Sequence, residues 1–188
     1  MVRLFGFGRT PRTFEFRCPD CGRIHRGSPS FALHRPEHVF EVPETEREAR
    51  VWANDDLCII RPAGDEPESE TTYWIRAVLD IPIHESDEPF CWGLWVTQSQ
   101  DSFERYRETF DQDQSEDGSF GWLSVHMKHY RNPDGSWPML ECDVNWGPAG
   151  QRPKVTLWDS ESQLFKDQRD GISWDKAIAI AAPLMHPS

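Results

Sequence analysis

The sequence lacks any long run of apolar residues, and this absence excludes a membrane-spanning helix. No stretch approaches the ~18 apolar residues that such a helix needs. The first residues also lack the apolar run of a secretory signal peptide, because Arg3, Arg9 and Arg12 interrupt them. We therefore expect a cytoplasmic protein without membrane contact, in a compartment that keeps thiols reduced.

The common catalytic and nucleotide-binding motifs are also missing. The chain contains no glycine-rich phosphate loop and no Gly-x-Ser-x-Gly nucleophile motif. It contains neither His-Glu-x-x-His nor a His-x-Glu followed by Cys-x-x-Cys, the patterns of hydrolytic and deaminating zinc sites. These absences leave nucleotide, acyl-transfer and zinc-hydrolase chemistry without support.

Basic residues are scarce, and they are unevenly placed. The chain has 20 Lys and Arg against 32 Asp and Glu, a formal net charge of −12. Residues 1–36 carry seven Arg and two acidic residues, whereas the remainder carries 13 basic and 30 acidic residues. An acidic body repels phosphate backbones at long range, so nucleic acid is an unfavoured partner. Nucleic-acid binding through the Arg-rich N-terminal segment stays open as a further alternative.

The five cysteines form one Cys-x-x-Cys pair and three single residues. An odd count in a reducing compartment favours metal binding over disulfides. In Cys18-Pro19-Asp20-Cys21-Gly22 the two sulfurs can face one point ~2.3 Å away, the usual thiolate–zinc distance. A second such pair is lacking, so folding must supply the other ligands as single residues. The candidates are His25, Cys58, His34 and His38.

The apolar periodicity predicts an α+β fold, with a mainly antiparallel sheet, a few short helices on one face and an N-terminal zinc-knuckle-like segment. Hydrophobic residues make up only 37%, but nine Trp and eleven Phe compensate by burying large areas. We expect residues 1–13 to be a flexible arm, and residues 14–188 to be a single domain that includes the knuckle at 16–27. The expected strands are Val51–Ile60 (interrupted by Asn54-Asp55-Asp56), Tyr73–Ile83, Phe90–Thr97, Phe120–Met127, Met139–Trp146 and Lys154–Trp158.

Short helices are expected at four places, and two of them carry recognisable end signals. Asp101-Ser102-Phe103-Glu104 resembles a capping box. Ser173 is expected to cap the last helix, and Pro183 to end it. The expected helices cover Pro43–Arg50, the residues from Asp101, Glu161–Gln168 and Trp174–Ala182.

Aromatic and acidic residues on the expected strands offer a ligand surface. Glu141 and Asp143 share one strand face, ~7 Å apart by the period-two rule. Paired carboxylates suit either acid–base chemistry or the solvated face of an amphipathic strand. Trp95 and Trp122 belong to a set of strand tryptophans that either pack in the core or line a groove for a partner.

Several motifs occur in an order that resembles a bacterial family, domain of unknown function 2199. The resemblance spans roughly residues 14–182 and implies no established activity. It implies that Cys18, Cys21, His25 and Cys58 belong to a shared pattern, as expected of one structural zinc site. The motifs are Phe16-Arg17-Cys18-x-x-Cys21-Gly22-x-x-His25, Glu46-Arg47-Glu48, Asp56-Leu57-Cys58-Ile59-Ile60, Ile75-Arg76, Ile81-Pro82-Ile83, Trp92-Gly93-Leu94-Trp95-Val96, Phe120-Gly121-Trp122-Leu123-Ser124 and Gln168-Arg169-Asp170-Gly171-Ile172.

These observations predict a zinc-stabilised protein that binds another protein, and its acidic body favours a basic partner. The alternative is an enzyme with an aromatic-lined cleft that uses Glu141, Asp143 and His126. Convergence of these three side chains around one cavity would favour the enzyme, and their dispersal over the surface would favour the binding protein.

Overall fold

A computed structural model describes residues 14–27, 29–64, 66–84 and 86–185, so the arm predicted at residues 1–13 lies outside the described part. A two-stranded sheet contains β1 (Glu15–Arg17) and β2 (Ile24–Arg26). An eight-stranded sheet contains β3 (Ser30–Ala32), β4 (Val51–Ala53), β5 (Leu57–Ile60), β6 (Thr72–Ile81), β7 (Phe90–Gln98), β8 (Gly118–Ser124), β9 (Met139–Asn145) and β10 (Lys154–Leu157). The helices are α1 (His38–Glu41), α2 (Glu44–Arg50), α3 (Gln100–Thr109), α4 (Gln163–Asp170) and α5 (Trp174–Leu184).

The larger sheet curls until it closes on itself. Strands β6 to β10 pair in sequence order, each antiparallel to the next, and β10 then pairs parallel with β6. Five strands thus form a ring, while β3, β5 and β4 extend it. The predicted α+β class with a mainly antiparallel sheet is confirmed. Closure of the ring was not predicted.

The long hairpin of β6 and β7 is the centre of this sheet. Its pairing runs without interruption from Tyr73 opposite Gln98 to Ile81 opposite Phe90. Because side chains alternate along a strand, one face of the hairpin enters the main core. The buried residues of β6 on that face are Ile75, Ala77, Leu79 and Ile81, as the alternation predicted.

A second, smaller core lies on the opposite face of the hairpin. Trp74 and Trp95 lie on this face, together with Cys58 from β5 and with Val39 and Val42 from the α1 region. Helices α3, α4 and α5 contribute buried residues to the main core instead. The expectation of helices on one face is therefore corrected, because apolar residues on both faces of β6 and β7 need cover.

Serine side chains begin three of the helices. Ser99 Oγ accepts a hydrogen bond from the backbone N–H of Ser102, so α3 begins before the capping box expected at Asp101. Ser173 caps α5 as predicted. Pro183 was expected to end this helix, but α5 includes Pro183 in its last turn and continues to Leu184. Ser162 caps α4 in the same way.

The interrupted strand expected at Val51–Ile60 is a hairpin of β4 and β5. The side-chain oxygen of Asn54 accepts hydrogen bonds from the backbone N–H groups of Asp56 and Leu57, at 2.8 and 2.7 Å. This local bonding reverses the chain, as Asn commonly does in turns. Val51 then pairs antiparallel with Ile60.

The contact between β7 and β8 is a narrow seam. Val96 pairs with Leu123, and side chains extend the contact beyond that pair. Thr97 Oγ1 accepts a hydrogen bond from the backbone N–H of Trp122 at 2.9 Å. At Gly121 the two backbones approach so closely that a Cβ atom would lie 2.6 Å from the carbonyl oxygen of Thr97.

We expect Gly121→Ala to destabilise the fold, because its new methyl group would collide with backbone that cannot move aside. Overpacking of this kind costs about 1–3 kcal/mol of unfolding free energy. Gly64→Ala is the matched control, since no atom lies within 4 Å of its added Cβ. Urea denaturation of both variants measures the difference, and equal stabilities would show that the seam tolerates a side chain at residue 121.

Candidate functional site

The Cys-x-x-Cys knuckle forms the turn of the β1–β2 hairpin. The backbone N–H of Cys18 donates to the carbonyl oxygen of Arg23 at 2.8 Å, and that of Gly22 donates to Cys18 at 2.9 Å. Gly22 has a φ of 68°, a conformation that glycine adopts without steric cost. His25 follows on β2, directly opposite Phe16. The hairpin thus returns His25 towards the two cysteines.

Three side chains of the hairpin converge on one point. The ligand atoms of Cys18, Cys21 and His25 all lie within 4.8 Å of one another, and Cys21 Sγ lies 3.4 Å from His25 Nε2. A tetrahedral zinc ion with ordinary bond lengths separates neighbouring ligand atoms by ~3.5–3.8 Å. The group can therefore hold a metal ion with little movement. Cys18 is buried and Cys21 is exposed, so the site lies at the protein surface.

Cys58, predicted as a fourth ligand, does not join this group. Its neighbour Leu57 packs in the main core, so strand alternation directs Cys58 into the second core, whereas Cys18 packs in the main core. Burial raises the pKa of the Cys58 thiol to about 11, which leaves it protonated at neutral pH. The described residues supply no fourth Cys, His, Asp or Glu to the group, and residues 1–13 contain none of these types.

The other two candidate ligands lie elsewhere as well. His34 is exposed. His38 stacks on Trp74 with ring centroids 4.7 Å apart, and its edge faces His126 at 6.0 Å. Its Nδ1 atom is buried and has no hydrogen-bond partner among the described residues. Sequence reasoning considered His38 only as a ligand, and no local signal indicated that it packs on a tryptophan.

Exposed aromatic rings, the exposed Asp143 and the half-buried Glu141 occupy the outer face of β8, β9 and the end of β10. We call this surface the aromatic–acidic face and define it by Phe120, Trp122, Glu141, Asp143 and Trp158. The rings of Trp122 and Trp158 lie 5.8 and 5.1 Å from that of Phe120. Each of these rings is at least 40% exposed. Such a contiguous patch on a regular sheet is typical of a binding surface.

The two carboxylates lie directly across the strands from the rings. Glu141 is paired with Trp122, and Asp143 is paired with Phe120. Trp158 Nε1 donates a hydrogen bond to an oxygen of Asp143 at 3.0 Å. The side chains predicted to share a face do so, and Trp122, Glu141 and Asp143 lie together on one surface.

Trp95, predicted with them, is not part of this surface. It is only 2% exposed and packs in the second core, where its Nε1 donates to the carbonyl oxygen of Leu33 at 2.9 Å. Trp95 is buried because of the position of its strand in the sheet. Strand β7 is central, so both of its faces are covered, whereas the outer faces of β8 and β9 carry exposed side chains.

The side chains required for the enzyme alternative do not line one of the described cavities together. His126 lines a cavity of about 500 Å³ beside α5, and neither Glu141 nor Asp143 is among its lining residues. The imidazole of His126 contacts Trp137, with ring centroids 5.1 Å apart. Its Nδ1 lies 3.0 Å from Ser124 Oγ. Glu141 and Asp143 therefore do not share this cavity with His126.

Residues 17–172 match the family model described as an uncharacterized protein conserved in bacteria, DUF2199. The chain belongs to this family. The matched range includes Cys18, Cys21 and His25, and it confirms the resemblance seen in the ordered motifs. Comparison with curated proteins and with solved structures finds no match.

The helices of the described ranges are short or polar. None of them has both the length and the apolar character required to cross a membrane.

We expect the half-buried imidazole of His38 to make a pH-dependent contribution to stability. Burial lowers the pKa of His38 below its ordinary value, so the unfolded chain takes up this proton first as the pH falls. Unfolding is then favoured from about pH 6.5 downwards, until the folded pKa is reached. We expect the free energy of unfolding to fall more between pH 7.5 and 5.5 in the wild type than in His38→Gln.

Urea denaturation at both pH values measures this difference. His34→Gln changes an exposed imidazole nearby in the sequence and should keep the wild-type response. Identical pH responses in the wild type and His38→Gln would contradict the assignment.

Proposed function

We propose that this protein is a zinc-stabilised binding module that takes a basic segment of another protein on its aromatic–acidic face. The observation that carries the proposal is the exposure of Phe120, Trp122 and Trp158 beside Glu141 and Asp143. In most proteins rings of this size are buried, and a cluster of them in solvent indicates a surface that a partner covers.

The composition of the face favours a cationic partner. Tryptophan rings attract Arg and Lys side chains through cation–π contact, and carboxylates pair with the same groups through charge-assisted hydrogen bonds. On this face, aromatic rings of β8 lie opposite carboxylates of β9. The acidic residues elsewhere in residues 37–188 would accelerate the approach of a basic segment without specifying where it binds.

The metal group gives the module its N-terminal anchor in this proposal. Two thiolates and an imidazole are the ligands that zinc prefers. The hairpin that carries them attaches to the main core through Phe14 and Phe16, and Phe14 contacts Trp174 of α5 with ring centroids 5.1 Å apart. A bound ion would hold the turn closed above these anchors.

The nucleic-acid alternative receives little support from the knuckle. Arg17 donates a hydrogen bond to the carbonyl oxygen of Gly22 at 2.7 Å. Arg26 forms an ion pair with Glu15 at 2.6 Å. Two of the basic groups that a phosphate backbone would need therefore have partners within the hairpin.

We expect the reduced wild-type protein to bind one equivalent of zinc and to melt at a higher temperature when zinc is present. Cys21→Ser removes an exposed ligand with little loss of packing and should weaken zinc binding by at least about 100-fold. Competition with a chromophoric chelator measures the affinity, and thermal unfolding with and without the chelator measures the effect on stability.

Two other cysteine variants make this test specific. Cys91→Ser changes a half-buried thiol outside the group, and Cys58→Ser changes the predicted ligand that the structure places in the second core. Both should keep the wild-type zinc affinity. A wild-type protein that binds no zinc would overturn the metal assignment. A Cys58→Ser variant as weak as Cys21→Ser would overturn the three-residue group.

We expect a synthetic Arg-Gly repeat of eight residues to bind the wild-type protein, and Trp122→Ala to weaken this binding by tenfold or more, as for a hot-spot residue. Trp52→Ala is the matched control, because Trp52 lies on β4 and is 44% exposed, against 40% for Trp122. Its affinity should stay within about twofold of the wild type, by the usual weakness of contacts outside hot spots. Isothermal titration calorimetry measures all three affinities.

A second pair of variants separates specific recognition from general charge attraction. Glu141→Gln with Asp143→Asn removes two charges from the face, and Glu44→Gln with Glu46→Gln removes two charges from α2. The first pair should weaken binding of the peptide far more than the second. Equal weakening by both pairs would show that the peptide senses only the net charge, and the proposed face would be rejected.

A further inference from the structure

A cavity opens where β7 and β8 separate. The C-terminal half of β7 pairs with β8 at Val96 and Leu123, whereas residues 91–93 of β7 pair with β3. The residues that follow β8 leave this edge, and the last turns of α5 lie across the gap. The cavity has a volume of about 500 Å³ and opens to solvent, and its apolar walls include Leu33, Trp92, Met127, Ile180, Pro183 and Leu184. Small-molecule sites in proteins usually measure ~300–1,000 Å³.

The polar residues that line this cavity are basic. His126, Lys128 and His129 line it, and no acidic side chain in the described part of the chain does, although the whole chain has a net charge of −12. The acid that lies near His129, Asp167, forms an ion pair with Lys176 at 2.7 Å. Lys128 is the one Lys or Arg among the described residues that line the cavity.

Trp92, which lines the cavity, carries a buried hydrogen-bond donor that lacks an acceptor among the described residues. Trp92 is 3% exposed, and its Nε1 atom has no hydrogen-bond partner within the described ranges. Other buried tryptophans satisfy this donor: Trp74 donates to Thr72 Oγ1, Trp95 to the carbonyl oxygen of Leu33 and Trp146 to Ser119 Oγ. Because buried donors are almost always paired, this one is a candidate for an acceptor brought by a ligand, although the atom is covered and the side chains around it would have to move.

We propose that this cavity binds a small amphipathic carboxylic acid, of the medium-chain alkanoic class. The alkyl chain would lie against Met127, Ile180 and Leu184, and the carboxylate would accept the hydrogen bond of Trp92 Nε1. Lys128 would balance the negative charge. This site is separate from the aromatic–acidic face, which lies on other residues and attracts the opposite charge.

Decanoate and 1-decanol are the probes for this site, because they share an alkyl chain and differ in the charge of the headgroup. We expect the zinc-loaded, full-length protein to bind one equivalent of decanoate, at least tenfold more tightly than decanol. The indole N–H resonance of Trp92, assigned by its loss in Trp92→Phe, should move downfield as the donor gains an acceptor. The indole resonance of Trp95, which already has an acceptor, should move little.

Three variants test which groups hold the ligand. Trp92→Phe should weaken decanoate binding about tenfold, the usual effect of losing one hydrogen bond to a charged group. Lys128→Gln should weaken decanoate binding without weakening decanol binding. Ala179→Trp, which places a bulky side chain at the cavity wall, should abolish both.

Folding controls keep the test decisive. Trp92→Phe removes a donor without a partner, so its melting temperature should stay closer to that of the wild type than the melting temperature of Trp95→Phe, which loses the bond to Leu33. Absence of saturable decanoate binding to the wild type would overturn the proposal. Unchanged affinity in both Trp92→Phe and Lys128→Gln, or decanol binding as tight as decanoate binding, would also overturn it.

Discussion

Two strands share one edge of β7, and this sharing shapes the rest of the molecule. Strand β3 pairs with residues 91–93 on that edge, and β8 approaches the same edge near Val96. Since only one strand can pair with a given stretch of an edge, β8 must diverge where β3 begins. The close approach at Gly121 and the cavity beside Trp92 lie at the two ends of this divergence. Tight closure at one end and an opening at the other thus follow from one arrangement.

The N-terminal hairpin depends on contacts outside itself. Its two strands have three residues each, and an isolated hairpin of this size has little stability in water. Phe14, Phe16 and Cys18 fix one side of it to the main core. The exposed Cys21 and the half-buried His25 lie beyond that support. An ion that joins all three ligand residues would connect the supported side of the turn to the unsupported side.

Local patterns in the sequence predicted those features whose causes are local. The spacing of Cys18, Cys21 and His25 places them in one turn, and the alternation along residues 73–83 identifies a half-buried strand. The pairing of Glu141 and Asp143 on one face follows from the same period of two. The aromatic–acidic face follows the register of β8 and β9, so Trp122 could be placed near these carboxylates once both strands were recognised.

The features that the sequence did not predict depend on long-range pairing. Cys58 and Trp95 resemble a ligand and a surface ring only until the second core covers them, and residues of the α1 region, distant from both in the sequence, provide that cover. The cap of α3 at Ser99 was not predicted, because both Ser99 and the stretch from Asp101 offer a plausible helix cap. Closure of the ring by the parallel pairing of β10 with β6 involves residues more than 70 positions apart, and no periodicity records such a pairing.

The hydrogen bond between Trp158 and Asp143 has a consequence for recognition. It fixes the plane of an exposed indole, and Phe120 packs against that indole and against Trp122. The three rings therefore stand on the sheet in a set orientation, and under the proposed function they would do so before a partner arrives. Because their conformational entropy has already been lost during folding, association requires little further ordering on this side. Such a surface would select partners that match its fixed shape. A flexible partner would lose more conformational entropy on binding than a rigid one, so the partner's flexibility would affect its affinity.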